Sequence, residues 1–342
     1  MAATIGRDHD MPKTEGELWA EELLRELGRS RFKPAAWARF LEDSFARARR
    51  NRRERVRAQR QVLALGAVGL GAWVGLAASG RPLLATVAAG WWVLVLLMVD
   101  WHLGMLERPD GSRLAGLGVA NTLTLLRAGA IPLLPALPPT ALGLAVLAAG
   151  LSDVADGFLA RSRAEASRLG AWLDGAVDGI LLSVAAVAAA DRALLPVWVA
   201  ALIVSRYLLP WLAIAGVYFA TAGAPRREGY VSGRAPGVVL VVGLALAAWG
   251  VPEAAFVAAA GALGGLATCG ATIVCVNRPA KQRTCIASAH SWMSSPACGA
   301  TISAPTSSPP PTRPRMRRLA VTSFTKPSGC SSIRARSTRL IG

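Results

Sequence analysis

Long apolar segments separated by short polar ones fill the middle of the chain, from residue 62 to residue 276. Each segment is near the length of about 20 residues that crosses the hydrocarbon core of a bilayer as a helix. The pattern predicts eight membrane-spanning helices, at approximately 62–80, 82–101, 116–137, 140–160, 170–190, 194–220, 236–251 and 254–276. The first 60 residues are polar and lack an early apolar core, so no cleavable signal peptide is predicted.

The residues before the first span are amphipathic and rich in arginine. Residues 37–60 place four large apolar side chains on one helical face, namely Trp37, Phe40, Leu41 and Phe45. An arginine-rich continuation follows, and the combination is typical of a helix that lies on an anionic membrane surface. Nucleic-acid binding is the rival interpretation of such arginines. It is disfavoured because a span follows directly, and we expect no nucleic-acid partner.

Charge is concentrated at the chain ends and in short loops, although the chain is 53% hydrophobic and only 17% charged. This distribution favours an integral membrane protein over a soluble domain. The positive-inside rule then predicts that both termini lie in the cytoplasm, since basic residues cluster before the first span and in every second loop. The loop clusters are Arg161, Arg163 and Arg168, then Arg226, Arg227 and Arg234, then Arg278 and Lys281.

Four aspartates interrupt the apolar pattern at the end of the fourth predicted span and the start of the fifth. Asp153 and Asp156 are three residues apart, and Asp174 and Asp178 are four apart, so each pair shares a helix face. One carboxylate at mid-bilayer depth costs about 3 kcal/mol, so four of them together require a bound cation. A divalent metal such as Mg²⁺ is the natural candidate, because hard cations take oxygen ligands and bridge carboxylates to phosphates.

Small and basic residues between the aspartates point to a phosphate-bearing ligand. Gly157 and Gly170 each lie four residues from an aspartate and have no side chain, so a bulky group can approach the backbone. Ala160 adds only a small side chain to the same helix face. Arg161 follows at the predicted membrane edge, where a guanidinium can bind a phosphate oxygen in a bidentate manner.

The full pattern is D-x-x-D-G-x-x-A-R, eight residues, then G-x-x-x-D-x-x-x-D. It resembles the signature of the CDP-alcohol phosphatidyltransferases (class I), with every fixed position matched. The resemblance covers residues 113–276 and implies an all-α integral membrane fold with a six-helix core, to which this chain adds two N-terminal transmembrane helices. It further implies that Asp153, Asp156 and Asp174 hold two Mg²⁺ or Mn²⁺ ions. By the same resemblance, Asp178 shares the metal site and acts as the catalytic base.

The same resemblance implies an activity in phospholipid biosynthesis. The phosphatidyl group of CDP-diacylglycerol would pass to an alcohol with release of CMP, in a homodimer embedded in membrane lipids. Within the family, the chain resembles most the phosphatidylglycerophosphate and phosphatidylinositol-phosphate synthases. Two alternatives remain open: transfer from a soluble CDP-alcohol to diacylglycerol and, from a different class, a membrane cation transporter, because intramembrane carboxylates also mark ion routes.

Polar residues elsewhere in the predicted core suggest substrate contacts. Asn121 and Thr124 lie in a stretch that resembles the first core helix, which borders the nucleotide site, although both are also ordinary helix caps. We expect Arg127, Arg206 and Arg234 to converge on a cytoplasmic cavity and to favour a phosphorylated acceptor, such as glycerol 3-phosphate or inositol phosphate. Arg206 could instead pair with a motif aspartate. The loop around Arg234 lacks the family's Gly-Lys-x-Lys-Thr run, which leaves the acceptor open.

Composition divides the chain into four predicted regions. These are a cytoplasmic amphipathic and basic region at 1–60, two additional transmembrane helices at 61–106, the six-helix core at 113–276 and a tail at 277–342. Within the first region, Thr14 and Glu17 have capping-box spacing and predict a helix over residues 14–27. The tail is rich in Ser, Pro and Arg and contains no Asp or Glu. Its composition suits disorder or out-of-frame translation of a GC-rich gene.

Overall fold

The computed structural model describes residues 14–108, 110–222 and 234–276, with side chains as far as residue 268. Within these residues the fold is all-α, with a single isolated bridge between Glu107 and Arg113 and no strand. The helices are α1 (Glu15–Arg29), α2 (Pro34–Glu54), α3 (Val56–Ala78), α4 (Pro82–Trp101), α5 (Gly118–Ala130), α6 (Pro139–Ser162), α7 (Arg168–Asp191), α8 (Val197–Thr221), α9 (Arg234–Ala248) and α10 (Ala254–Val276).

Each of the eight predicted spans corresponds to a helix, from α3 to α10. Within the residues described with side chains, six of them are long and apolar enough to cross a membrane, with α5 extended to Ala136 by a short 3₁₀ turn. The apolar helix α9, with 15 residues, is shorter than the roughly 20 residues of a typical span. Side chains such as Val68 of α3 and Leu83 of α4 are more than two-thirds exposed, as expected for a surface that faces lipid.

The extra helix pair α3 and α4 packs on the rest of the protein through two tryptophans of α4. The Nε1 of Trp91 donates a hydrogen bond to the carbonyl of Ala128 in α5, at 2.7 Å. The indole of Trp92 lies against Gly69 of α3 and Gly129 of α5, where a side chain on either glycine would press into the ring. These contacts make α4 the element that connects the N-terminal pair to the core.

Glycines also allow α9 and α10 to approach each other closely. A Cβ added at Gly243 would meet the backbone of Ala258, and one added at Gly261 would meet the backbone of Leu240. Small residues at such positions let membrane helices pack backbone against backbone, which increases their dispersion contacts. The Ala- and Gly-rich composition of the last span is explained by this contact.

The N-terminal helix α1 begins at the capping box that its sequence predicts. The N–H of Glu17 donates to Thr14 Oγ1 at 3.4 Å, and the N–H of Thr14 donates to Glu17 Oε2 at 2.9 Å. Both hydrogen bonds satisfy backbone donors that the first turn of a helix leaves without partners. Across the hairpin, the guanidinium of Arg47 in α2 lies 4.4 Å from the ring centroid of Trp19.

Two aromatic side chains on the apolar face of α2 contact rings of other helices. The ring of Trp37 lies 5.8 Å from that of Phe219 in α8, and the ring of Phe45 lies 4.1 Å from that of Trp101 in α4. Trp37 is partly buried by its contacts, whereas Phe45 and Leu41 remain exposed, at 43% and 44%. That this face lies on a membrane surface stays a prediction.

Candidate metal centre

Helices α6 and α7 form a hairpin that brings the motif aspartates together. Asp153 and Asp156 lie near the end of α6, whereas Asp174 and Asp178 lie in the first half of α7. One carboxylate oxygen from each of Asp153, Asp156 and Asp174 lies within 4.8 Å of the others. The side chain of Asp156 is only 5% exposed, but that of Asp153 is 43% exposed, so the cluster is open on one side. Three oxygen donors at this spacing fit a hard divalent cation.

The guanidinium of Arg127, in α5, lies in the middle of the four carboxylates. Its Nη2 is 2.7 Å from Asp156 Oδ2 and 2.6 Å from Asp174 Oδ1. Its Nη1 is 2.9 Å from Asp178 Oδ1 and 3.8 Å from Asp153 Oδ1. Four carboxylates surround one guanidinium, so the site holds three negative charges in excess when all are ionised. Because of this excess of negative charge, we expect further cations to bind here.

This placement puts Arg127, which is predicted to contact the acceptor alcohol, among the motif aspartates. The side chain is 7% exposed and serves as a counter-ion to the aspartates. The sequence contained a signal for this role, since Arg127 lies about two turns into an apolar helix. An arginine at such a depth requires carboxylates or carbonyls as partners. The sequence does not reveal which carboxylates those are.

Thr124 and Asn121 are buried neighbours of the aspartates, each 3% exposed. Thr124 Oγ1 lies 3.1 Å from Asp156 Oδ2 and 3.2 Å from the carbonyl of Ala120, and its one proton can serve either acceptor. Asn121 Nδ2 donates to the carbonyl of Leu117 at 2.6 Å and lies 3.4 Å from Ser167 Oγ. Both side chains are predicted to contact CDP, and in this structure they form hydrogen bonds with protein groups.

Gly170 makes room for the amide of Asn121. A Cβ at this glycine would collide with Asn121 Oδ1, and it would lie 3.1 Å from Ser167 Oγ. Ser167 is the N-cap of α7, and its hydroxyl accepts a hydrogen bond from the N–H of Gly170 at 3.0 Å. The absence of a side chain at Gly170 thus leaves space for Asn121 and Ser167, and an approach of a ligand to this glycine stays a prediction.

Gly157, Ala160 and Arg161 form the more open part of the motif. The guanidinium of Arg161 folds back over Gly157, where its Nη1 would lie 3.3 Å from an added Cβ. Arg161 is exposed, whereas Gly157 and Ala160 are half-buried. These three residues remain available to a ligand at the end of α6.

Among the described residues, Arg206 contacts backbone carbonyls and the ring of Tyr207, whose centroid lies 5.3 Å from its guanidinium carbon. Its Nη1 donates to the carbonyls of Gly261 in α10 and Pro236 in α9, the latter at 3.4 Å. Gly265 leaves space for the guanidinium, because a Cβ there would collide with it. Arg234 is the first residue of α9, and its side chain lies outside the described residues. That these three arginines contact the acceptor stays a prediction.

Two residues of the turn between α6 and α7 were not singled out from the sequence. The carboxylate of Glu165 accepts a hydrogen bond from the N–H of Val119, in the first turn of α5, at 2.9 Å. Ser167 caps α7 and meets Asn121. Serine directly before a helix is a recognisable N-cap signal, whereas nothing local identifies the partner of Glu165.

Residues 117–273 match the family model of the CDP-alcohol phosphatidyltransferases. The matched 157 of the 342 residues are thus similar to a CDP-alcohol phosphatidyltransferase domain. Members of this family transfer phosphatidyl-type groups and in general depend on divalent metals, which agrees with the aspartate cluster. Together with the six long apolar helices, the family identifies an all-α integral membrane protein of the multi-pass type. No curated protein and no solved structure gave a match to the chain.

The match begins at the start of α5, so α1 to α4 precede it. All four motif aspartates, together with Gly157, Ala160, Arg161 and Gly170, fall inside it. The basic loop at 223–233 and the tail at 277–342, for which a cytoplasmic location and disorder were predicted, lie outside the described residues.

Proposed function

We propose that this protein transfers the phosphatidyl group of CDP-diacylglycerol to an alcohol and releases CMP. The observation that carries the proposal is the cluster of Asp153, Asp156 and Asp174, whose oxygens converge inside the family domain. In the reaction, the acceptor hydroxyl oxygen forms a bond to the phosphatidyl phosphorus. The bond from that phosphorus to the CMP oxygen breaks, and CMP leaves with the bond's electron pair.

The donor set fits two Mg²⁺ or Mn²⁺ ions. Carboxylate oxygens are the ligands that hard divalent cations prefer, and the negative charge in excess of Arg127 needs further positive charge. Bound divalent ions would supply charge neutralisation at the pyrophosphate and at the leaving phosphate. Asp153, Asp156 and Asp174 would hold them, while Thr124 and Arg127 keep the buried carboxylate of Asp156 oriented.

Asp178 is the proposed base for the acceptor hydroxyl. It lies one helical turn beyond Asp174, outside the group of three converging carboxylates, and its side chain is 29% exposed. A carboxylate within reach of the hydroxyl accepts its proton as the new bond forms. Arg161, at the exposed end of α6, would bind a phosphate oxygen of the CDP group, and Gly157 and Ala160 would let that group approach the helix.

The active site is proposed to face the cytoplasm, as are both termini. The support is the distribution of basic residues, which agrees with one orientation in every loop. Reporter fusions after residues 60, 165, 230 and 280 should all report a cytoplasmic location. An external signal at residue 165 would contradict the proposed access of a water-soluble acceptor. By family resemblance we also propose a homodimer, which cross-linking in membranes would detect.

The activity is tested by a screen of acceptors with purified protein. CDP-diacylglycerol and Mg²⁺ or Mn²⁺ are combined with glycerol 3-phosphate, inositol phosphate, inositol or serine, and CMP and the lipid product are measured. Release of CMP with one alcohol supports the proposal and identifies the acceptor. Turnover only with a soluble CDP-alcohol and diacylglycerol would reverse donor and acceptor. Metal flux into vesicles without CMP release would instead indicate a cation transporter.

A further inference from the structure

The turn at residues 163–167 determines how the two aspartate pairs face each other. Asp153 and Asp156 precede it and Asp174 follows it, so the three converging carboxylates come from both sides of the turn. Ala164 within the turn has a φ of +52°. This left-handed backbone conformation is unfavourable for a residue with a Cβ. A strained turn between two ligand-bearing helices needs contacts that hold it in place.

Such contacts come from the linker between α4 and α5, residues 102–117. Arg108 Nε donates to the carbonyl of Ala164 at 2.8 Å. The N–H of Arg168, the first residue of α7, donates to the carbonyl of Glu107 at 3.0 Å. Thus two adjacent linker residues bind the turn at both of its ends.

The linker segment itself is shaped by local hydrogen bonds. The N–H of Arg108 donates to the carbonyl of Ser112 at 2.8 Å, and Arg108 Nη1 donates to Ser112 Oγ at 3.1 Å. Asp110 Oδ1 accepts from the N–H of Ser112 at 2.8 Å, and these hydrogen bonds with Ser112 lower the pKa of Asp110. These hydrogen bonds with Ser112 hold the guanidinium of Arg108 on the side that faces the turn at residues 163–167.

Arg55, at the junction of α2 and α3, anchors the linker to the N-terminal helices. Its Nη1 donates to the carbonyl of Leu106 at 2.5 Å, and its Nη2 donates to the carbonyl of Gly104 at 3.1 Å. The same Nη2 lies 3.3 Å from Glu107 Oε1. A side chain that is 7% exposed therefore joins the start of α3 to the residues that contact the turn.

Helix α1 adds a charge contact to the same turn. Arg168 is the first residue of α7, where a positive charge opposes the helix dipole. Glu17 of α1 forms an ion pair with Arg168 and offsets this unfavourable charge. The contact thus brings a third segment from outside the matched domain to the base of the aspartate hairpin.

We propose that the linker at 102–117 positions the aspartate hairpin, with Arg108 as the positioning residue. The proposal rests on the proposed function for the meaning of the metal centre, and it gives the N-terminal addition a role in that function. Arg108 lies outside the matched domain, and among the described residues its side chain bonds to Ala164 and Ser112 and not to a motif aspartate. It acts through the carbonyl of Ala164, which fixes the turn and hence the relative placement of α6 and α7.

The first test measures whether Arg108 immobilises the turn. Arg108→Ala is compared with Arg113→Ala, a control in the same linker whose guanidinium bonds to Glu54 at 3.0 Å. Amide hydrogen exchange is followed by mass spectrometry in peptides that cover residues 163–168, in detergent without metal. We expect exchange about 5- to 30-fold faster in Arg108→Ala, with Arg113→Ala like the parent protein. Equal exchange in both variants would overturn the proposal.

The second test asks whether the immobilised turn matters for the metal centre. Mn²⁺ binding is measured by the electron paramagnetic resonance signal of the free ion. Arg108→Ala should bind Mn²⁺ several-fold more weakly than Arg113→Ala at similar thermal stability, and Arg108→Lys should recover part of the affinity. Faster exchange in Arg108→Ala with unchanged Mn²⁺ affinity would show that the linker holds the turn without positioning the metal ligands, and it would overturn the proposal.

If the parent protein binds no Mn²⁺ and releases no CMP, the proposed function fails, whereas the exchange test still decides whether the linker holds the turn.

Discussion

Arg55 and Arg127 are buried to the same extent, each 7% exposed, but their surroundings differ in charge. Arg55 meets two carbonyls and one carboxylate, so its positive charge is balanced within the linker region. Arg127 meets four carboxylates and leaves three in excess. The difference teaches that burial alone does not identify a functional arginine. An excess of one sign around it is the more informative signal, because bound cations or protons must then balance that excess.

The two regions also differ in how their charge is stabilised. Burial lowers the pKa of the Arg55 guanidinium, and the carboxylate of Glu107 opposes that shift. Since the pKa of a guanidinium ordinarily lies far above neutral pH, Arg55 stays charged and its contribution does not vary near neutrality. The aspartate region has no such balance within the described residues, which is why we expect divalent cations to alter its stability and not that of the Arg55 region.

Replacing the aspartates tests the charged region with the largest expected effect. Asp178→Asn keeps the shape and one oxygen but loses the basicity, so turnover should fall by about 10²- to 10⁴-fold. Asp156→Asn should weaken metal binding instead, because its carboxylate belongs to the converging group. Turnover is measured against Mg²⁺ concentration for both variants. Recovery of Asp178→Asn by metal, without recovery of Asp156→Asn, would reverse the assignment of base and ligand.

Removing each arginine sharpens the comparison directly. Breaking a buried ion pair by deleting one partner costs about 3–5 kcal/mol, so Arg55→Ala and Arg127→Ala should both lower the thermal midpoint in chelator. Mg²⁺ or Mn²⁺ should restore the midpoint of Arg127→Ala, because added cations can pair with the four carboxylates. The same ions should not restore the thermal midpoint of Arg55→Ala. Equal restoration of both variants by metal would show that charge excess does not separate the two sites.

Arg206 provides an intermediate case, since it bonds only to carbonyls in the described structure. A charged hydrogen bond is worth about 1.5–3 kcal/mol, so Arg206→Ala should destabilise the contact of α8 with α9 and α10 by that amount. Gly265→Ala should act similarly, because the added Cβ displaces the guanidinium. The measurements are the thermal midpoints and the KM values for CDP-diacylglycerol and for the alcohol. A KM increase for the alcohol alone would show that Arg206 contacts the acceptor after all.

The smallest expected effect concerns the hydroxyl beside Asp156. Thr124→Val removes a donor that lies 3.1 Å from the carboxylate, which should cost about 1 kcal/mol and reduce Mn²⁺ affinity. Thr122→Val is the matched control, because its hydroxyl in the same helix donates to the carbonyl of Gly118 at 2.8 Å. Calorimetric titration with Mn²⁺ compares the two. Equal affinities would mean that Thr124 does not orient the metal ligand.

Local features of the sequence predicted much of the fold. Apolar run length determines where a chain can cross a bilayer, and helices occur at all eight predicted positions. The capping box at Thr14 and Glu17 depends on residues three apart and is confirmed. The spacing of the motif placed each aspartate pair on its helix, and the family it indicated is the one that matches. In every case the physical cause acts within a few turns of chain.

The partners of the polar side chains were decided only by the tertiary structure. The sequence did not show that Arg127 lies among four carboxylates, that Gly170 accommodates Asn121, or that Arg206 reaches the carbonyl of Gly261. The contact of Arg108 with Ala164 joins residues 56 apart. Such pairs depend on how helices cross and where linkers return. Helix periodicity specifies the face on which a residue lies, but only packing specifies which distant residue it meets.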